Sequence, residues 1–191
     1  MIPERRRIAL GLIAASITAT VSLAACSQPG VTIGGPFQLT DQNGRPRDQS
    51  MLKGKWSAVF FGYTFCPDVC PTTLQTLAEA QDRLGPRAKD FQVVFITVDP
   101  GRDTPAQLKT YLSSTAFPKG AVGLTGTSGQ IAAVAKGYHA FYQKQGSGAD
   151  YEVQHGSAVY LMDPNGQFST VVAFGLPPDE VARQISEKMR G

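Results

Sequence analysis

Apolar and polar residues alternate along this chain between the periods of strands and of helices, and the changes mark the elements. Ala58–Phe61 is an unbroken apolar run within Trp56–Phe61, as expected of a strand buried on both faces. Phe91-Gln-Val-Val-Phe-Ile-Thr-Val98 repeats that pattern. Between the two, Thr72–Leu84 has helical spacing, with Pro71 placed to open the helix at its first position, where a missing N–H costs nothing. Thr104-Pro105 predicts a cap and start for a helix through Leu108, Tyr111 and Leu112. A short apolar step near Val122–Leu124 leads to a helix over Ile131–Tyr138, with Thr127 or Ser128 as its cap. Val159–Met162, the Asp163-Pro-Asn-Gly166 turn and Phe168–Phe174 predict a β-hairpin, and Pro178–Met189 a closing helix. Upstream, Asn43-Gly44 between Phe37–Leu39 and Met51–Leu52 predicts a further hairpin. Strands alternating with helices, then an antiparallel hairpin and a helix, give an α/β sandwich around a mixed β-sheet with an extra N-terminal β-hairpin.

The N-terminus carries an address. Arg5, Arg6 and Arg7 precede an apolar stretch from Ile8 to Ala25 that is diluted by four hydroxyl residues, the layout of a secretory signal. The stretch ends Leu23-Ala24-Ala25-Cys26, which resembles the lipobox of bacterial lipoproteins. That resemblance implies cleavage before Cys26, lipidation of its sulfur and a tether to a membrane on its extracytoplasmic side. The chain then divides into a lipoprotein signal peptide (1–25), the lipidated Cys26 with a flexible tether (26–36), and one domain (37–191). With 191 residues, 42% of them hydrophobic and 17% charged, the chain is sized for one globular core. Its 18 basic and 15 acidic side chains include the three arginines and Glu4 of the signal, so 15 basic face 14 acidic in the rest. No basic patch remains to suggest nucleic acid as a partner.

Of three cysteines, lipidation claims Cys26 and leaves Cys66 and Cys70, four apart in Tyr-Thr-Phe-Cys-Pro-Asp-Val-Cys-Pro. One close pair is not a structural disulfide framework. Thiols at this spacing lie on one face of a helical turn and reach either a common atom or each other. A soft metal and a reversible disulfide therefore both stand. The element order resembles a thioredoxin fold, which implies that the cysteines occupy the N-terminus of the first core helix, where free N–H groups favour thiolate. Two thiolates suit Cu(I), with Zn(II) as the common competitor, and call for a third ligand. The chain has two histidines, His139 and His155. His139 ends a helical pattern and reads as an ordinary surface residue. His155 lies just before the strand that a thioredoxin-like layout places opposite the cysteines.

Four motifs in order, Cys66-Pro-Asp-Val-Cys-Pro71, Val98-Asp-Pro-Gly-Arg-Asp-Thr-Pro105, Leu124-Thr-Gly126 and His155, resemble the Sco/SenC family from about Phe37 to the C-terminus. The resemblance implies a copper chaperone for the CuA centre of cytochrome c oxidase, binding Cu(I) and Cu(II) through Cys66, Cys70 and His155. Its partner would be the CuA subunit or another cuproprotein. Asp68 and Gln154 are expected beside these ligands: Asp68 to cap the following helix or tune the thiolates, and Gln154 where relatives often carry Asp, whose charge would raise the basicity of the imidazole. Asp99, Arg102 and Asp103 are expected to form an ion-pair network bracing the loop after the second core strand. The rival reading is a thiol–disulfide reductase that keeps a partner's copper-site cysteines reduced. Against it, redox thioredoxins use Cys-x-x-Cys and a proline where this chain has His155. A peroxiredoxin would need Thr at position 63, which is Tyr63.

Overall fold

The structure, a computed structural model, describes residues 32–148 and 150–190. The expected signal segment and the lipidation site at Cys26 lie outside these residues. Among the described residues, no helix is long and apolar enough to cross a membrane.

The N-terminal hairpin pairs β1 (Gln38–Asp41) with β2 (Pro46–Asp48). Asp41 makes its turn by accepting the N–H groups of Asn43 and Arg45 at 2.9 and 3.0 Å, while Gly44 takes φ 76°, a conformation glycine adopts without strain. The second strand comes earlier than expected. Met51 and Leu52 belong instead to a 3-10 turn over Gln49–Leu52, because Asp48 accepts the Ser50 N–H and starts a helical turn there.

Strands β3 (Trp56–Gly62), β4 (Phe91–Thr97) and β5 (Val122–Thr125) run parallel at the centre. Strands β8 (Val159–Met162) and β9 (Phe168–Val172) add an antiparallel hairpin beside β3. The resulting seven-stranded order is β2-β1-β5-β4-β3-β8-β9. Alternation sorts the buried strands onto two faces. Ala58, Phe60, Val93 and Phe95 pack against α1 (Val69–Arg83), α2 (Pro105–Leu112) and α4 (Pro178–Lys188). Val59, Phe61, Val94 and Ile96 pack against α3 (Ser128–Gly137). Thr104 caps α2 as expected, and Thr127 rather than Ser128 caps α3, in a reciprocal capping box with Gln130.

Two features near the cysteines depart from expectation. Helix α1 begins at Val69, so Pro71 stands third, a position whose N–H has no partner within the helix either. The second is a hairpin that the pattern does not announce, β6 (Tyr142–Gln145) with β7 (Glu152–His155). Its strands, Tyr-Gln-Lys-Gln and Glu-Val-Gln-His, are mostly polar and lack the apolar alternation that marks a strand. It forms a two-stranded sheet of its own, outside the seven-stranded one.

Candidate metal centre

Strand β3 ends at Gly62 and delivers the chain over the sheet edge into the cysteine turn. The absence of a side chain at Gly62 is required there. A Cβ would lie 2.5 Å from Cys70 Sγ and 2.8 Å from the Phe95 ring, so the glycine provides the space that the thiol fills. Cys70 sits in the first turn of α1 and is fully buried, while Cys66 precedes the helix and is half-exposed. Only Cys70 is helical. Cys66 is brought beside it by the turn, in which the Cys66 N–H donates to the Tyr63 carbonyl at 3.2 Å.

His155 arrives from the other side, at the end of β7. Its Nε2 lies 3.4 Å from Cys70 Sγ, and its Nδ1 is 2.9 Å from the Gly156 carbonyl. An N–H at Nδ1 donating to that carbonyl leaves Nε2 to face the sulfurs. The rings of Tyr63 and Phe60 meet the imidazole, with centroids 5.7 and 6.1 Å away. The donor atoms of Cys66, Cys70 and His155 all fall within 4.8 Å of one another, the one such cluster of three among the described residues. Three S and N donors around a small metal ion stand about 3.5–4 Å apart, so a trigonal site needs only a small contraction.

The electrostatics of the pair are asymmetric. Cys66 is held well below the ordinary thiol range. A hydrogen bond from Cys70 contributes most, burial opposes it, and His155 with the N–H groups of Cys70 and Asp68 adds to it. Cys70 is pushed up by burial, then by its bond to Cys66 and the charge there. For His155, burial pulls the other way, but hydrogen bonds with Cys66 and the Gly156 carbonyl raise it overall. The directions at the two cysteines favour the thiolate at Cys66 and the thiol at Cys70. A metal entering this site displaces protons.

The residues expected around the ligands divide. Asp68 holds the N-cap position but makes no side-chain cap bond. Its carboxylate is exposed, with Thr72 Oγ1 at 3.4 Å, and its contribution to Cys66 is the backbone N–H. Gln154 does not touch the imidazole. Strand alternation turns it away from His155, and its Oε1 accepts from Gln145 Nε2 at 3.3 Å. His139 is exposed and remote in role. With φ 53° it closes α3, its N–H donating to the Lys136 carbonyl and that of Ala140 to the Ala135 carbonyl.

The expected ion-pair network proves to be two separate braces. Asp99 pairs with Arg102 and accepts from Tyr151 Oη at 2.6 Å. Asp103, fully buried, meets no arginine. It accepts the Thr64 N–H at 3.0 Å, Thr64 Oγ1 at 2.6 Å and Thr97 Oγ1 at 2.6 Å. These donors satisfy a carboxylate that burial pushes up, and they pin Thr64 to β4 just before Cys66. Sequence reasoning missed Gly62, Thr64 and Tyr151. Only Gly62, ending an apolar run, left a signal that a close approach follows.

The SCO1/SenC family model matches residues 26–190. The chain belongs to this family. The SCO2-like protein of Rickettsia felis is 40% identical over 157 residues, covering 81% of this chain and 76% of that protein. Among solved structures, Bradyrhizobium japonicum ScoI with copper bound is 43% identical with a TM-score of 0.74, covering 81% of this chain and 98% of that one. Yeast Sco1 with copper bound is 36% identical with a TM-score of 0.77, covering 84% and 90%. The thioredoxin-like α/β fold is shared with these Sco proteins, and the Cys66, Cys70 and His155 donors form a group suited to copper.

Proposed function

We propose that this protein is a copper chaperone of cytochrome c oxidase assembly that takes up Cu(I) or Cu(II) at Cys66, Cys70 and His155 and delivers it to the CuA centre. The observation that carries this is the donor cluster, already gathered within 4.8 Å, with Cys70 buried and Cys66 and His155 only partly so. Cys70 is sealed in the core, whereas Cys66 is half-exposed and His155 comes from a separate hairpin. A chaperone needs soft ligands that sequester copper together with a face where an incoming thiolate displaces them one at a time. Three protein ligands with an accessible edge satisfy both needs better than a closed four-ligand cage. In transfer, a partner thiolate would enter beside Cys66, and Cys70 would release the metal last. Lipidation at Cys26 would hold the domain on the extracytoplasmic side of a bacterial membrane, within reach of a membrane-bound oxidase. Mass spectrometry of the membrane fraction should find Cys26 as an acylated mature N-terminus, and a chain still beginning at Met1 or Ile2 would remove the anchor.

The decisive experiment loads the full chain in detergent with one equivalent of Cu(I) and mixes it with a metal-free CuA domain. Copper should move to the CuA domain from the parent protein and fail to load on a Cys70→Ser variant. Parent protein that binds no Cu(I) against a competing chelator would overturn the reading.

A second reading is supported by the divergence of the two thiols. A partly exposed Cys66 held below the ordinary thiol range and a buried Cys70 pushed above it match the division of labour of a thiol–disulfide reductase. The Cys66 thiolate would attack a partner disulfide, and the departing partner sulfur would take a proton. Cys70, after losing its own proton, would then attack Cys66, leaving a Cys66–Cys70 disulfide and a partner reduced by two electrons. A thiol reductant would reset the pair. Both activities fit one molecule.

A further inference from the structure

Tyr151 stands four residues before His155, where the chain re-enters the hairpin that carries the histidine, and its side chain is held from several directions. The hydroxyl donates to Asp99 Oδ1 at 2.6 Å. The Arg102 guanidinium lies 3.7 Å from the ring centroid and Lys144 Nζ lies 3.5 Å from it. Arg102 is itself paired with Asp99 and extends over Phe65, the residue before Cys66, at 4.7 Å from that ring. A continuous set of contacts therefore runs from the cysteine turn through Arg102 to the histidine hairpin, with Asp99 bonded to both. This matters because the hairpin has no strand partner in the main sheet. Its other anchors include Val153, 5% exposed in the core, and the partly buried Tyr142 packed against the same cluster.

We propose that Tyr151, clamped by Asp99 and Arg102, is a positioning residue that sets how firmly His155 is presented to the two thiols, and thereby how strongly the site favours Cu(II) over Cu(I). The inference rests on the copper reading given above. Its logic is the differing demand of the two ions. Cu(I) accepts low coordination and soft donors, so the two thiolates keep most of their hold on it when the third ligand loosens, whereas Cu(II) prefers more ligands and a nitrogen among them. Loosening the clamp leaves Cys70 in α1 and Cys66 in a turn still tied by its bond to the Tyr63 carbonyl and by Thr64 on Asp103, so Cu(I) loses little. The Cu(II) complex loses the ligand it depends on. Arg102 suits the role better than lysine would, because its planar guanidinium stacks on two rings while still bonding a carboxylate.

The test uses Tyr151→Phe, which keeps the ring and removes the bond to Asp99, and Arg102→Lys, which keeps the charge and removes the stacking plane. In the metal-free chain, the amides of Gln154 and Gly156, the latter bonded to the Phe141 carbonyl, should exchange with solvent faster by about tenfold in either variant, the loss expected when a hydrogen bond to a charged group is removed. Amides of β3 and β4 should be unchanged. Cu(II) affinity, read from the thiolate-to-copper absorption, should fall by about tenfold, while Cu(I) affinity by chelator competition stays within about twofold. Parent-like amide exchange and Cu(II) absorption in both variants would overturn the clamp and leave the chaperone reading standing. Equal losses of Cu(I) and Cu(II) affinity would overturn the selectivity. A parent protein that binds neither ion would remove the copper reading and the selectivity together, whereas the exchange measurement on metal-free protein would still decide whether the clamp holds the hairpin.

Discussion

Cys66 and Cys70 lie where the seven-stranded sheet meets the first turn of α1, whereas His155 lies on a hairpin whose strands pair only with each other. The cysteine side is over-determined. Gly62 leaves the space for the Cys70 sulfur, Asp103 pins Thr64, and the N–H groups of Asp68 and Cys70 point at Cys66. The histidine side is held without the main sheet's ladder: by Val153 in the core with Tyr142 packed beside it, the Phe60 and Tyr63 rings on the imidazole, a backbone carbonyl on Nδ1 and the Tyr151 clamp. The difference assigns the parts. The thiolates are the fixed element of the proposed copper site, and the imidazole is the element able to leave, which is what a site that must release its metal requires.

Removing a fixed ligand should do most. Cys66→Ser or Cys70→Ser should abolish measurable Cu(I) binding by chelator competition. Cys70→Ser should also cost about 1–3 kcal/mol in chemical denaturation, because it places a hydroxyl in a fully buried apolar setting. Near-parent Cu(I) affinity in either variant would break the dithiolate half of the comparison.

His155→Ala comes next. It should eliminate the thiolate-to-copper(II) absorption and block delivery, yet leave disulfide exchange by the cysteine pair within about threefold of the parent. His139→Ala, which removes only an exposed residue closing α3, should change neither. If His155→Ala bound both copper ions like the parent, the chaperone reading would give way to the reductase.

Gly62→Ala tests whether the cysteine side is as tightly built as the packing implies. The new methyl meets Cys70 Sγ and the Phe95 ring, so a loss of about 1–3 kcal/mol is expected from overpacking. Cu(I) affinity should fall with it, since the sulfur has to shift. Unchanged stability and affinity would show that the sulfur has room to move.

The proton equilibrium sharpens the contrast between the two thiols. Because the Cys66 pKa is depressed in the folded protein, its reaction with iodoacetamide should persist as pH is lowered through neutrality, where an ordinary thiol slows about tenfold per unit. Cys70 should stay unmodified until the chain unfolds. The sign for stability follows: a depressed folded pKa means that the contribution of Cys66 is complete above the unfolded thiol pKa of about 8.5 and is lost as pH falls through the folded value. Peptide mapping after alkylation across the pH range checks the order, and equal reactivity of the two cysteines would erase the asymmetry.

The smallest effect is expected at Gln154. The family resemblance led to an expected carboxylate at this position whose charge would act on the imidazole, but the Gln154 side chain is turned to Gln145. Gln154→Asp should therefore change Cu(II) affinity by less than about twofold, because a carboxylate turned to solvent is screened from the site. A gain of tenfold would mean that the residue reaches His155 in the metal-bound protein.

Much of the site was legible in the linear chain because its chemistry is carried by rare residue types. Two cysteines four apart and two histidines leave few combinations, and the motifs around them resemble a single family. The central strands and helices α2, α3 and α4 were legible because burial on both faces, or an apolar stripe that begins at a Thr cap in α2 and α3, imposes a period on the residues. The hairpin over 142–155 was not legible, since its strands face solvent along most of their length and answer to no such period.

Sequence alone determined the class of fold and, through the family resemblance, singled out Cys66, Cys70 and His155 as the candidate donors, because residue identity and local order carry both signals. Tertiary structure decided the rest. It turned Gln154 away from the imidazole, separated Asp103 from Arg102, placed Gly62 under Cys70 and set Tyr151 between the cysteine turn and the histidine. The reason is physical: these relations join side chains up to 52 residues apart, as in the Tyr151–Asp99 bond. A preference that spans such a distance leaves no period or spacing in the chain, and exists only once the sheet has brought the two ends together.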